Sequence, residues 1–124
     1  MTTQYLKDPN DKAWDNDPGM NEWRAFMKKY MPDADMKDGG YIAAYGVSKT
    51  MLQTLNQCNG DFSRANVMKQ ASNLHNVDNP MLLPGIKINT SPTDYHPIEA
   101  MQLVRWDGKT WQLFGEVLEG GAGS

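Results

Sequence analysis

The sequence predicts an α/β protein in which about three helices are followed by a C-terminal β-hairpin. Apolar residues recur at intervals of three and four, the period of a helix with one buried face, over about residues 18–31, 41–57 and 64–74. Residues 100–106 and 110–117 are instead rich in strand-favouring residues. An Asp-Gly-Lys turn separates these two segments, which therefore form the predicted hairpin.

The N-terminal region predicts the end of a strand, a loop and then the first helix. Residues 2–7 can form a strand, and the Asp-Pro-Asn-Asp sequence after them is typical of a turn. Asp17 and Pro18 then favour a helix start, since aspartate caps free N–H groups and proline fits the first helical position. The apolar face of this helix is expected to comprise Met20, Trp23, Phe26, Met27 and Tyr30.

The second helix has an unusual beginning, with two glycines followed by Tyr41 and Tyr45 one turn apart. Free N–H groups at a helix start attract anions, and glycine allows a ligand to come close. One hypothesis is therefore a binding site for a small molecule that carries a carboxylate. The other, which the local pattern favours, is a core helix whose tyrosines pack with their hydroxyls in water. Its buried face is expected to comprise Ala44, Val47, Met51 and Leu55.

The remaining elements follow from shorter signals. An Asn-Gly pair at 59–60 predicts a left-handed end to the second helix, and residues 86–89 predict a short strand. Trp106 and Trp111 flank the hairpin turn closely enough to pack across it. Residues 119–124 are expected to form a flexible tail after one domain of residues 1–118. The third helix is expected to bury Val67, Met68, Ala71 and Leu74.

The composition gives little support for catalysis, metal binding or nucleic-acid binding. A net charge of −3 provides no basic surface for nucleic acid, and no apolar run reaches the about 18 residues of a membrane span. Cys58 is the single cysteine, so an internal disulfide is excluded and a structural or idle thiol is expected. His75 and His96 lack the spacing of a metal site. We therefore expect no enzyme activity, no metal and no cofactor.

Several segments carry, in their order and spacing, a resemblance to a known family: Tyr5–Trp14, Asp17–Met20, Trp23–Met27, Tyr45–Leu55, Asn66–Ala71, Leu83–Tyr95 and Met101–Gly108. They resemble the C-terminal third of periplasmic solute-binding proteins of ABC importers. The resemblance is to the branched-chain amino acid type, the Leu/Ile/Val-binding-protein-like group with the type I periplasmic-binding fold. It covers about residues 3–118.

The resemblance implies part of a Rossmann-like lobe in a two-lobed fold that traps a ligand when the lobes close. Such proteins are periplasmic, are not enzymes, bind amino acids, amides or small organic acids, and deliver them to a membrane permease. In the family the start of the second helix lies near the ligand cleft. The resemblance therefore implies that Tyr45 is a ligand-binding residue, with Tyr41 and Ala44 as its neighbours.

The main ligand-binding loops of the family have no counterpart in this sequence. The chain is thus expected to be a fragment that supplies one wall of a cleft and binds the ligand poorly by itself. Its first residues lack the pattern of a signal peptide, which would leave the chain cytoplasmic if expressed as it stands. The alternative is a self-associating interaction domain without a small-molecule ligand, in which a second copy covers the exposed apolar faces.

Overall fold

The computed structural model describes residues 1–120. Within them three α-helices precede a β-hairpin, which confirms the predicted α/β class and the order of its main elements. A single 3₁₀ turn, Lys12–Trp14, lies before the first α-helix. The elements are β1 (Thr2–Gln4), α1 (Pro18–Tyr30), α2 (Gly39–Gln57), α3 (Arg64–Ala71), β2 (Ala100–Trp106) and β3 (Trp111–Glu119).

Helix α1 begins as its sequence predicts. The Asp17 Oδ2 accepts a hydrogen bond from the Met20 N–H at 2.9 Å, and Pro18 occupies the first turn, where its missing N–H costs nothing. The predicted apolar face is only partly buried, because Phe26 and Tyr30 are exposed. Their rings contact each other at a tilt of 46°, with centroids 4.9 Å apart. Its buried members are Met20, Trp23 and Met27.

The predicted buried face of α2 is wrong. Ala44, Val47 and Met51 are exposed, and Leu55 is only partly buried. The helix is rotated so that a different set of positions faces the interior. These buried positions are Ile42, Gly46 and Thr54.

Two small residues explain this rotation of α2. A Cβ added at Gly46 would meet the Asn79 side chain and Met81 at 3.4 Å, so the missing side chain lets the segment that contains both approach the helix closely. Thr54 can be buried without an unpaired polar group, because its hydroxyl donates to the Thr50 carbonyl of the same helix at 3.1 Å. A count of apolar residues gives weight to neither glycine nor threonine, and it therefore selects the wrong face.

The end of α2 is as predicted, but the end of α3 and the predicted strand after it are not. Asn59 and Gly60 have φ values of 49° and 89°, the predicted left-handed end of the helix. Helix α3 ends at Ala71, short of the predicted 74, and Met68 is exposed. The predicted strand at 86–89 is wrong, since this stretch contains only an isolated bridge from Ile88.

The three strands form one antiparallel sheet in the order β1-β2-β3. The rings of Trp106 and Trp111 lie 5.5 Å apart across the hairpin turn, as predicted. Strand β3 extends to Glu119, the first residue of the predicted tail. Gly120, the next residue of the predicted tail, donates its N–H to the Glu99 carbonyl at 2.6 Å, and residues 121–124 lie outside the described residues.

The core consists of two clusters of buried apolar side chains. Leu6 and Trp14, from the segment after β1, pack against both clusters and so connect them. The first cluster joins α1 to α2, and the buried members of the second all belong to the segment between α3 and β2. The first contains Met20, Trp23, Met27, Ile42 and Met81, and the second contains Leu74, Leu82, Leu83, Ile86 and Ile88.

Replacing Gly19 with alanine is expected to lower the free energy of unfolding by about 1–3 kcal/mol, the usual cost of overpacking. A Cβ there would lie 2.7 Å from the Pro80 Cβ and 2.9 Å from its carbonyl oxygen, and neither atom belongs to a flexible side chain. Gly39→Ala is the matched control, because its added Cβ meets no heavy atom within 4 Å apart from its chain neighbours and the backbone of its own helix. Urea denaturation of both variants checks this, and equal stabilities would contradict it.

Candidate functional site

A groove of about 460 Å³ lies between α1 and α2. It brings together the three residues predicted to bind ligand, Tyr41, Ala44 and Tyr45. Side chains of α1 form the opposite wall, including Glu22 and Phe26. The groove is therefore a surface to which both helices contribute.

A hydrogen-bonded network fixes Tyr45 in this groove. Its hydroxyl donates to the Glu22 Oε1 at 3.0 Å, and the Lys49 Nζ donates to the same oxygen at 2.5 Å. The Lys49 Nζ also lies 5.3 Å from the centroid of the Tyr45 ring, within the range of a cation–π contact. The Phe26 ring lies 5.2 Å from that of Tyr45, at an interplanar angle of 57°. The ring is thus held by an ion pair and by an aromatic neighbour.

The network shifts the pKa of each of its members. The hydrogen bond from Lys49 holds the pKa of Glu22 below its ordinary value, with a second contribution from Tyr45. The same bond raises the pKa of Lys49. Partial burial, followed by the hydrogen bond to Glu22, raises the pKa of Tyr45. All three shifts favour a carboxylate, an ammonium and a neutral phenol around neutral pH.

The beginning of α2 already has an anion of its own. The Asp38 Oδ1 accepts a hydrogen bond from the Gly40 N–H at 2.8 Å, and its carbonyl accepts one from the Tyr41 N–H at 3.2 Å. The hypothesis of a ligand carboxylate at this helix start therefore meets a competing carboxylate in the same place. The polar partners in the groove lie further along the helix, at Tyr45 and Lys49.

A second groove, of about 400 Å³, lies along another face of α2. Val47 and Met51 line it together with Tyr95, and their exposed fractions are 71%, 51% and 68%. The side chains of residues 1–120 that line this groove include no charged group. The Asn79 amide at its edge donates to the Gly46 carbonyl at 2.8 Å and is satisfied within the chain. This second groove is an apolar surface.

The sequence-based reasoning missed Glu22, Phe26 and Lys49. One signal was present, since Lys49 follows Tyr45 by four residues and so lies on the same helix face. No such spacing joins Glu22 to Tyr45, because 23 residues separate them and they lie on different helices. That contact depends on the packing of α1 against α2.

The two histidines considered for catalysis do not share a site. His75 and His96 are exposed, and their contacts are local, to Asn73 at 2.9 Å and to Asp94 at 3.4 Å. Within residues 1–120 there is no group of three His, Cys, Asp or Glu side chains that could hold a metal ion. Cys58 is a free, buried thiol.

None of the helices within residues 1–120 is long and apolar enough to cross a membrane.

The helices, the antiparallel sheet and the groove are consistent with part of a lobe of a solute-binding protein. A family model described as periplasmic binding protein matches residues 1–110, and the chain belongs to this family. The family is periplasmic, generally non-enzymatic, and binds small-molecule ligands. No curated protein and no solved structure matches the chain.

Proposed function

We propose that this chain is part of a periplasmic solute-binding protein of the branched-chain amino acid type. In this proposal its groove between α1 and α2 contacts an amino acid or small organic acid through Tyr45, with Tyr41 and Ala44 beside it. The ligand is trapped when two lobes close and is passed to an ABC permease, without chemical change. The observation that carries the proposal is the position of the Tyr45 ring. It is held by Glu22 and Lys49 in a groove of this chain, which belongs to the periplasmic binding protein family.

The size and the exposure of the groove both bear on how it would work. Its volume of about 460 Å³ falls within the roughly 300–1,000 Å³ of small-molecule sites. Its rim is exposed, however, with Phe26 at 41% and Leu52 at 55% of their full accessibility. A site encloses most of its ligand, so a second wall must complete this one. We therefore expect weak binding by this chain and strong binding only where the second lobe closes over the groove.

Tyr45→Ala is expected to weaken ligand binding about three- to tenfold, the usual value of one aromatic contact. The test is an NMR titration of the ¹⁵N-labelled chain with amino acids and aromatic acids, which measures weak dissociation constants from amide shifts. Tyr95→Ala is the matched control, because Tyr95 is 68% exposed and lines the other groove. Equal affinities for both variants would contradict the assignment of Tyr45.

A second candidate function, a self-associating interaction domain, is favoured by the apolar groove on the other face of α2. Val47 and Met51 expose apolar surface there that a second copy could cover. Size-exclusion chromatography and the NMR titration separate the two functions. A monomer whose α1–α2 groove responds to ligand supports solute binding, and an oligomer whose groove does not respond supports self-association.

A further inference from the structure

We propose that Glu22 and Lys49 set the charge selectivity of the α1–α2 groove, so that it discriminates against ligands with a net charge. This inference rests on the proposed solute-binding function and decides between its two ligand classes: it favours amino acids with uncharged side chains, which carry no net charge, over small organic acids, which are anions. Within residues 1–120, Glu22 and Lys49 are the two charged side chains that line the groove. Their charges are opposite and cancel.

Both side chains can be reached by a ligand in the groove. The Lys49 side chain is 31% exposed and that of Glu22 is 55% exposed. Their mutual contact uses one carboxylate oxygen, Oε1, which also accepts the Tyr45 hydroxyl. An ammonium has three N–H donors and a carboxylate has two oxygens, so each partner keeps capacity for a further hydrogen bond.

The pair acts on any charged group that lies beside Tyr45. An added carboxylate is attracted by Lys49 and repelled by Glu22 at a similar distance, and an added ammonium meets the reverse. In either case the attraction and the repulsion nearly cancel, while the ligand still loses the hydration of its charge. A neutral polar group loses less hydration and can use the donors of Lys49 and the acceptors of Glu22. The groove therefore favours ligands without net charge.

The hydrogen bonds of the pair keep it ionised. The contact with Lys49 lowers the pKa of Glu22, and the contact with Glu22 raises the pKa of Lys49. Neither charge is thus lost around neutral pH, and removing one of them requires a substitution. Glu22→Gln leaves a net positive groove, and Lys49→Gln leaves a net negative one.

Three matched probes measure this selectivity by NMR titration of the labelled chain: 3-phenylpropionamide, 3-phenylpropionate and 2-phenylethylammonium. The unmodified chain is expected to bind the neutral amide at least as tightly as either ion. Glu22→Gln is expected to shift the ratio of affinities toward the carboxylate by about two- to fivefold, the strength of one exposed charge contact. Lys49→Gln is expected to shift the same ratio toward the ammonium by a similar factor.

Two controls separate charge selection from a general effect of substitution. The exposed pair Lys87–Asp78 lies outside the groove, so Lys87→Gln and Asp78→Asn are expected to leave all ratios unchanged. The reversed pair, Glu22→Lys with Lys49→Glu, is expected to restore the preference for the neutral probe. Ratios that are the same in every variant overturn the inference and leave the solute-binding proposal standing. The absence of any response to the probes at the Ala44 and Tyr45 amides overturns both.

Discussion

Replacing Trp23 with alanine is expected to cost about 3–5 kcal/mol of stability, the typical loss for a large aromatic residue in a packed core. Trp23 retains only 1% of its accessibility and lies in the cluster that joins α1 to α2. Its removal would leave a cavity between Met20, Met27 and Ile42. Domains of ordinary stability have only about 5–15 kcal/mol in total, so the variant is expected to be largely unfolded at modest urea concentrations.

Trp23→Phe is the informative companion to this variant. The indole Nε1 is buried and has no hydrogen-bond partner among residues 1–120, which is unfavourable in the native protein. Phenylalanine keeps most of the apolar contact and removes the unpaired N–H. We therefore expect Trp23→Phe to lower the free energy of unfolding by about 1–2 kcal/mol less than its lost apolar volume alone would. Urea denaturation followed by circular dichroism measures both variants, and a loss for Trp23→Phe as large as its lost apolar volume predicts would show that the unpaired N–H has no role.

The sequence predicts the helices well because their ends carry local chemistry. Asp17, Asp38 and Ser63 each cap a helix through a contact with a residue two or three positions later. The hairpin is equally local, since an Asp-Gly-Lys turn joins two adjacent strands. Helix caps and tight turns depend on residues that are close in sequence, so the sequence alone predicts them.

The packing of α2 could not be predicted in the same way. Its buried face depends on Gly46, which is buried because the Asn79 and Met81 segment approaches it from more than 30 positions away. The predicted strand at 86–89 failed for a related reason. Its alternating apolar residues, Ile86 and Ile88, are buried in an irregular segment and not in a sheet. Periodicity indicates burial, and burial does not require regular secondary structure.

The candidate site was predictable only in part. Tyr41, Ala44 and Tyr45 follow from the family resemblance, and the structure places all three on one groove. Their role in ligand binding remains a prediction. The ion pair that distinguishes this groove joins α1 to α2 across 27 residues of sequence, so no local pattern contains it. The pairing of Glu22 with Lys49 therefore follows from the fold and not from composition or local spacing.

The second large effect is expected for Asp17→Ala, which should lower the free energy of unfolding by about 2–4 kcal/mol. The Lys7 side chain is only 8% exposed, and its ammonium donates to both Asp17 carboxylate oxygens, at 3.0 and 2.9 Å. It also donates to the Pro80 carbonyl at 2.8 Å. The variant would leave a buried ammonium without its counter-ion and would remove the cap of α1 at the same time.

This loss depends on pH in a defined direction. Partial burial acts to raise the pKa of Asp17, but hydrogen bonds from the Met20 N–H and from Lys7 outweigh it, and the pKa lies below its ordinary value of 3.8. The carboxylate therefore contributes stability that is fully present above its unfolded pKa and is lost as pH falls through its folded pKa. Asp17→Ala should remove this part of the acid destabilisation, so the two proteins converge in stability at low pH.

A double substitution identifies which of the two roles of Asp17 dominates. Adding Lys7→Met to Asp17→Ala removes the unpaired buried charge, and it is expected to recover stability if that charge, and not the missing cap, causes most of the loss. Asp78→Ala breaks the exposed pair with Lys87 and serves as the control, with an expected loss below about 1 kcal/mol. If Asp17→Ala were no more damaging than Asp78→Ala, the Lys7–Asp17 contact would not stabilise the native fold. A large loss without recovery in the double variant would instead assign the effect to the helix cap, because the substitution at Lys7 leaves that cap absent.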